Sequence, residues 1–424
     1  MTCTSADTCV LYRDAGVDQG VAITQDLGFT AWGFGVQGLS ANVQLRARTD
    51  VGGGGFAWPE SDDHLDALVA YAQLVRGDFR VRLGRQRATS GLGFSSYDGA
   101  SALYAPLPGL RIEAYGGRSL ARGLYDPRHR ALEGIEDFLV DRNAWLFGGR
   151  ASLSLLPGTD VTARYQREIW SDRSGLLSER ASLDARTTRL DPVTLEGSVD
   201  WDVGFDRVGK ASLTASVPVP SLDLTVRATA RRHVPYFEMW TIWGFFDPVG
   251  YEEIQLRADW SPRSDVGVWA STALRSYRDT NTELLFGPTG DDGRKVGLGG
   301  RWSPAEEWSL SGSYRLEDGF GTYLSSGDLR ARWRAGDRLD VSIHGSAFQQ
   351  IQEFRVGEGV VFGGGGAAEL SITDDVDLRG GLDVYRQTFE NRPESVDWNQ
   401  VRGWSALRIS FGGDPGLERR GGAR

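Results

Sequence analysis

The stretch Leu329-Arg330-Ala331-Arg332-Trp333-Arg334-Ala335 alternates strictly between apolar and charged side chains. Because a β-strand turns successive side chains to opposite faces, this stretch predicts a strand with one apolar and one charged face. The same rhythm recurs from about residue 28 to residue 411, for example in Phe79-Arg80-Val81-Arg82-Leu83 and Leu407-Arg408-Ile409-Ser410-Phe411. Many of these runs reach the roughly 9–11 residues that a tilted strand needs to cross a bilayer. The pattern therefore predicts a transmembrane β-barrel.

Length and composition agree with one large all-β unit. No composition break or linker divides the 424 residues, and no apolar run is long enough for a transmembrane helix. The formal net charge of −10 argues against a general nucleic-acid binder. Arginine supplies nearly all of the 47 basic residues, which indicates either anion contacts or a GC-rich genome.

Short turns alternate with longer connections, as in the barrels of bacterial outer membranes. The short turns are predicted at 38–40, 77–78, 107–109, 157–160, 190–192, 218–220, 261–265, 303–307, 336–337 and 373–375. The longer connections are predicted at 49–64, 88–96, 118–142, 170–176, 204–209, 232–250, 278–294, 318–326, 349–358 and 390–397.

These boundaries predict an all-β, antiparallel, up-and-down transmembrane barrel of about 22 strands, with 18 to 24 as the range. The count includes 21 strands over residues 29–411 and one further strand near residues 10–24. Residues 1–27 are assigned to a leader with that first strand, 28–411 to the barrel, and 412–424 to a polar tail. The first residues lack the basic start and apolar core of a signal peptide, so we expect a mature, truncated or misplaced start. Cys3 and Cys9 are compatible with one small disulfide loop or with chance.

Tryptophans beside the short turns provide a second signal. Trp260, Trp302, Trp308 and Trp333 all lie next to predicted short turns. Aromatic side chains collect where the apolar band of a barrel meets the lipid headgroups. We therefore expect these four to line one rim.

If Leu, Val, Ala and Trp face lipid, the charged residues between them face the lumen. Arginines in a low-dielectric tube attract anions, whereas acidic residues of the same face could instead pair with them and stiffen the wall. Arg301, Arg315 and Arg402 belong to this face. The candidates for pore lining and selectivity are Arg80, Arg82, Arg111, Arg164, Arg227, Arg330, Arg332 and Arg334, and the run 330–334 is predicted to be too basic for local neutralisation.

Two long connections could modify such a pore. The connection 118–142 is expected to narrow the lumen or to form an outer lid. The connection 232–250 carries six aromatic residues in its centre, which suit either sugar faces or a structural role.

Catalysis is not predicted. The one cluster on a strand face with the residue types of a hydrolase is His344 with Ser342 or Ser346 and Asp340, and same-face neighbours lie about 7 Å apart, too far for a hydrogen bond. No metal-spaced or nucleotide-binding motif occurs, so neither a cofactor nor a metal is expected.

Residues 71–117 carry a more specific pattern, Gly84-Arg85-Gln86 at the end of one strand and Asp98-Gly99 at the start of the next. This pattern resembles the alginate-export family of outer-membrane barrels, which have eighteen strands. The resemblance implies outward passage of an anionic polysaccharide, or diffusion of small anionic solutes, and carries family roles to Gly84, Arg85, Gln86, Asp98 and Gly99. Strict alternation places Arg85 toward lipid. A bulge or a rim position could turn it inward, so Arg85 joins the pore-lining candidates.

The sequence thus predicts a channel of the bacterial outer membrane, a porin or exporter that contacts membrane lipid and passes anionic solutes or an acidic polysaccharide. Nucleic acid is not an expected partner, and the oligomeric state stays open. The alternatives are a non-conducting barrel that acts as a surface scaffold, and a hydrolase acting at the rim.

Overall fold

The computed structural model of the chain describes residues 2–5, 8–10, 21–51, 65–120, 144–171, 175–234, 250–278, 292–319, 322–352, 359–389 and 398–410. No helix in these ranges is long and apolar enough to cross a membrane. The predicted connection 118–142, the aromatic centre of 232–250 and the tail 412–424 lie almost wholly outside the described residues.

The described residues form β-strands and one short 3-10 turn at Pro220–Leu222. Two short strands, β1 (Thr2–Ser5) and β2 (Thr8–Val10), form a separate hairpin in which the backbone of Cys3 lies opposite that of Cys9. The first eleven strands of the main sheet are β3 (Val21–Trp32), β4 (Leu39–Val51), β5 (Leu65–Arg76), β6 (Phe79–Ser90), β7 (Gly93–Leu107), β8 (Leu110–Ser119), β9 (Ala144–Leu156), β10 (Thr159–Trp170), β11 (Leu176–Leu190), β12 (Val193–Asp202) and β13 (Arg207–Val219). The remaining ten are β14 (Leu224–His233), β15 (Tyr251–Arg263), β16 (Val266–Tyr277), β17 (Asp292–Ala305), β18 (Trp308–Gly319), β19 (Thr322–Ala335), β20 (Leu339–Gln352), β21 (Gly359–Thr373), β22 (Val376–Phe389) and β23 (Trp398–Ile409).

These 21 strands follow one another in one antiparallel sheet with the topology of an up-and-down barrel, which confirms the predicted fold class. The separate strand predicted near residues 10–24 is wrong in part. Residues 21–24 continue without a break into β3, so the predicted boundary after residue 27 falls inside this strand.

Nine of the ten predicted short turns lie between consecutive strands, whereas the β3–β4 connection runs over 33–38 instead of 38–40. Glycine allows the tightest turns. Gly336 at the β19–β20 turn has a φ of 67°, which side chains with a Cβ rarely adopt. The connection predicted at 88–96 is much shorter than expected. β6 and β7 extend through it and leave a turn of only two residues, 91–92.

Large apolar side chains on one face of the strands are exposed, which is the reverse of a soluble protein. Leu329, Leu274 and Val401 expose 70%, 66% and 65% of their surfaces. Trp260, Trp302, Trp308 and Trp333 share this apolar face beside the short turns, and the rings of Trp308 and Trp333 stack at 5.8 Å. We call the opposite face of each strand, which carries residues such as Arg330 and Arg332, the polar face.

The chain divides into two compact units, described separately below. The N-terminal unit comprises Met1–Asp191, Leu195–Ser212 and His233–Pro248, and the C-terminal unit comprises Pro192–Thr194, Leu213–Arg232 and Val249–Arg424.

Candidate functional site

A row of directly opposed residues crosses the polar face of the C-terminal unit from β17 to β23. The strand register places Arg301, Ser311, Arg330, His344, Gly365, Asp383 and Arg402 in this order. The row therefore brings Arg301, Arg330 and Arg402 to the same position along the strand axes, with the carboxylate of Asp383 as the one acidic group in the row. We call each such set of directly opposed residues a level of the sheet.

The three arginines of β19 do not have the same surroundings. The guanidinium of Arg332 donates to the carboxylate of Asp340 at 2.7 and 2.8 Å, so this positive charge is neutralised locally. Within the described residues, neither Arg330 nor Arg334 forms an ion pair. The prediction that the run 330–334 escapes local neutralisation is thus wrong for Arg332.

His344 contacts a different acid from the one expected from sequence. Its Nε2 lies 3.1 Å from Oδ1 of Asp383 on β22, whereas Asp340 binds Arg332. The contact passes over Gly365 of β21, where an added Cβ would lie 2.2 Å from the same oxygen. The cluster of His344 and Asp340 that a hydrolase would need is therefore not formed.

A second charged group lies on the polar face near the long-connection end of β14–β18. The side chain of Glu253 is almost fully buried and lies 2.8 Å from Arg275, 3.1 Å from Lys295 and 3.7 Å from Arg231. Arg275 also donates to Glu317 at 2.7 Å. This compact network joins five neighbouring strands and has the character of a structural lock, because two carboxylates compensate most of the charge of three cations.

Arg227 of β14 shares the polar face with Arg231 of the same strand. It forms no ion pair with any described residue. It therefore adds a further positive charge to this face.

In the N-terminal unit most candidate arginines have partners on the polar face. Arg80 lies 3.9 Å from Glu113, Arg82 donates to Gln73 at 2.7 Å, and Arg164 forms an ion pair with Asp184. Arg111 shares the polar face with Tyr115, and no ion pair to it exists in the described ranges. Two of these four charges, those of Arg80 and Arg164, are therefore compensated by carboxylates, whereas Arg82 bonds to a neutral amide.

Arg85 lies on the apolar face, so its assignment to the pore lining is wrong. β6 and β7 pair without a register shift, and Arg85 therefore points to the same side as Leu83 and Phe79. Its guanidinium makes two bonds to the carboxylate of Asp98, at 2.8 and 2.9 Å, and one to the carbonyl of Ala67 at 3.0 Å. The charge is thus compensated by a two-fold contact on the outer side of the sheet.

The other residues of the family-like pattern hold strands together. Gln86 is 2% exposed, accepts a hydrogen bond from the Ser101 hydroxyl at 2.6 Å and donates to the carbonyl of Gly99 at 3.2 Å. A Cβ on Gly99 would lie 2.1 Å from a neighbouring carbonyl oxygen, and one on Gly84 would lie 2.3 Å from another. The two glycine positions favour close strand packing, and the family roles of these residues stay a prediction.

The turn between β6 and β7 leans over the polar face of the same unit. A Cβ on Gly91 would lie 3.4 Å from a guanidinium nitrogen of Arg164 on β10, and one on Gly93 would lie 3.6 Å from Arg180 on β11. Leu92 between them is 2% exposed. We call residues 90–93 the inner turn, because it covers the polar face four strands away from its own hairpin. The sequence pattern did not predict the inner turn. The sequence Gly-Leu-Gly at residues 91–93 could have indicated a tight turn around an apolar side chain.

No cluster of three or more metal-ligating side chains exists among the described residues. No family model and no curated protein matches the sequence.

Solved structures share the fold at low sequence identity. A mutant of the ferric enterobactin receptor PfeA from Pseudomonas aeruginosa aligns with a TM-score of 0.58 and 12% identity, over 93% of this chain and 78% of that one. The siderophore receptor PirA from Pseudomonas aeruginosa gives 0.53 and 14%, over 92% and 76%. The copper transporter OprC gives 0.55 and 11%, over 92% and 79%.

Sequence identities of 11–14% are evidence for a shared fold and not for a shared function. The resemblance of residues 71–117 to the alginate-export family stays a prediction. The chain has the fold of the outer-membrane β-barrels.

Proposed function

We propose that this chain is a channel of the bacterial outer membrane, a porin or exporter that lets small anionic solutes or an acidic polysaccharide pass without an energy source. The proposed function includes no catalysis, and membrane lipid contacts the apolar face of the chain. The exposed apolar face and the fold shared with receptors and transporters support residence in the outer membrane.

One observation carries the anion preference. On the polar face of the C-terminal unit, Arg301, Arg330 and Arg334 have no ion pair with a described residue. Uncompensated guanidinium groups on a wall of low dielectric constant raise the local concentration of anions. The same charges would slow or exclude cations of similar size.

Single-channel recording tests this proposal. The full chain is refolded into a planar lipid bilayer, and the reversal potential in a KCl gradient gives the ratio of anion to cation permeability. We expect a ratio above one, which falls toward one when Arg330→Ser and Arg334→Ser are combined. The matched control combines Arg332→Ser with Asp340→Ser, which removes an ion pair and leaves the net charge unchanged, so the ratio should stay near that of the wild type.

A second candidate is a non-conducting barrel that acts as a surface scaffold. The inner turn and the buried groups beneath it favour this alternative, because they occupy part of the polar face of the N-terminal unit. If circular dichroism shows a folded β-protein but the bilayer carries no current, the channel proposal is wrong and the scaffold is favoured.

A further inference from the structure

Aromatic rings on the polar face of the C-terminal unit lie over glycines of the neighbouring strands. A Cβ on Gly381 would lie 2.7 to 3.0 Å from three consecutive ring atoms of Trp404, and one on Gly363 would lie 2.9 Å from the ring of Tyr385. Any larger residue at these positions would push the rings away. The glycines therefore let both rings lie flat on the wall.

Of these two rings, that of Trp404 has one face open to solvent. Tyr385 has the guanidinium of Arg402 5.4 Å from its ring centre. Trp404, in contrast, exposes 47% of its surface in the middle of β23. A flat and exposed indole next to arginines is the arrangement on which the C–H face of a sugar ring can stack.

Arg402 lies two residues from Trp404 on the same face, about 7 Å along the strand. Its directly opposed neighbour is Asp383, which would be the natural ion-pair partner. The carboxylate of Asp383 instead reaches His344 across Gly365, so Arg402 has no ion pair among the described residues. The Arg402 guanidinium thus has no ion pair in the described part of the chain, and it lies 5.4 Å from the ring centre of Tyr385 and one same-face position away from Trp404 along β23.

Side chains that can form hydrogen bonds to hydroxyl groups lie on the same face as Trp404 and Arg402. His344 and Asp383 lie one level away from Trp404, and the row of Trp404 itself continues through Gly381 and Ala367 to Ser342. A flat aromatic acid would use the indole and the arginine but not these groups. Neighbouring strands lie about 4.8 Å apart, so β20 is about 14 Å from β23, and a short chain of sugar units could use all of these groups.

We propose that Trp404, Arg402 and Tyr385 form a binding site for a pyranose ring that bears a carboxylate. The C–H face of the sugar stacks on the indole of Trp404, and its carboxylate accepts hydrogen bonds from the Arg402 guanidinium. Hydroxyl groups of this sugar reach Asp383 on the adjacent strand, and the next unit of a sugar chain reaches His344. This site rests on the proposed function and gives it a substrate class, an acidic sugar at mid-depth of the wall.

Equilibrium binding tests the site independently of conduction. Isothermal titration calorimetry on the full chain in detergent micelles compares trigalacturonate with the neutral maltotriose. We expect the acidic sugar to bind the wild type more tightly than the neutral one. Trp404→Ala should weaken both sugars by about tenfold, because the stacking surface is lost. Arg402→Gln should weaken trigalacturonate by about tenfold and leave maltotriose unchanged.

Two matched variants control for general effects on the barrel. Trp302→Ala removes an indole from the apolar face, and Arg263→Gln removes a guanidinium beside a short turn. Both should bind trigalacturonate as the wild type does. Equal weakening by Trp302→Ala, or an Arg402→Gln variant that still prefers the acidic sugar, would overturn the site. Channels that conduct anions but bind neither sugar would overturn it too, while the proposed function would stand.

Discussion

The arginines of β19 show how much of a residue's role depends on its partners. The sequence alternation correctly places Arg330, Arg332 and Arg334 on one face. It cannot tell which of them is neutralised, because Asp340 comes from the next strand. The register sets Asp340 opposite Arg334, yet its carboxylate binds Arg332. Such diagonal choices depend on side-chain conformations that no spacing in the chain reveals.

Glu253 is the residue whose loss should cost most stability. Glu253→Gln would leave Arg231, Arg275 and Lys295 around a neutral group, and removal of one partner of a buried ion pair typically costs about 3–5 kcal/mol. We expect the guanidinium chloride midpoint of the micelle-bound chain, followed by tryptophan fluorescence, to fall markedly.

Glu252→Gln is the control for this prediction. Glu252 forms an exposed ion pair with Arg278, and such pairs contribute about 0–1 kcal/mol. Equal shifts of the midpoint in the two variants would show that the network around Glu253 is not a structural lock.

At the scale of elements, period-two alternation and turn residues predicted most strand positions, because each depends on local geometry. The hairpin β6–β7 marks the limit of this reasoning. Its strands continue to residues 90 and 93, and the inner turn then packs against strands β10 and β11, far away in the chain. Packing between distant segments leaves no periodic trace in the sequence.

In the proposed channel, the inner turn should restrict ion flow. Leu92 is its buried anchor, and Leu92→Ser would release the turn from the polar face because a hydroxyl replaces the apolar contact. We expect a higher single-channel conductance than in the wild type.

Leu222→Ser provides the comparison, since Leu222 lies exposed in the 3-10 turn between β13 and β14. Its conductance should equal that of the wild type. An unchanged conductance in Leu92→Ser, with the fold confirmed by circular dichroism, would mean that the inner turn does not limit the current.

For the whole molecule, the exposed apolar band and the order of 21 strands follow from a pattern visible in nearly every segment, so the fold class was predictable. The charge balance was not. A net charge of −10 suggests an acidic protein, whereas the polar face of the C-terminal unit carries arginines without ion pairs. Net charge sums over all surfaces, whereas a solute in the proposed channel would meet only the polar face.

Salt should weaken the anion preference of the proposed channel. The Debye length falls from about 10 Å at 0.1 M salt to about 3 Å at 1 M, so more of the field of the arginines is screened. We expect the permeability ratio of anion to cation to decline over this range while the conductance rises. A ratio that is independent of salt would indicate selection by size instead of charge.

The tetraglycine run Gly363-Gly364-Gly365-Gly366 in β21 also bears on the order in which the strands assemble. Glycine supplies no side chain to fix a register, and glycine-rich strands slip easily. The ring and the carboxylate that fill the spaces beside Gly363 and Gly365 belong to Tyr385 and Asp383 of β22. We therefore expect β21 to reach its native pairing only after β22 has formed, so that the last hairpin acts as a folding template. Pulsed hydrogen exchange during refolding should then protect the amides of β22 before those of β21, and the opposite order would contradict it.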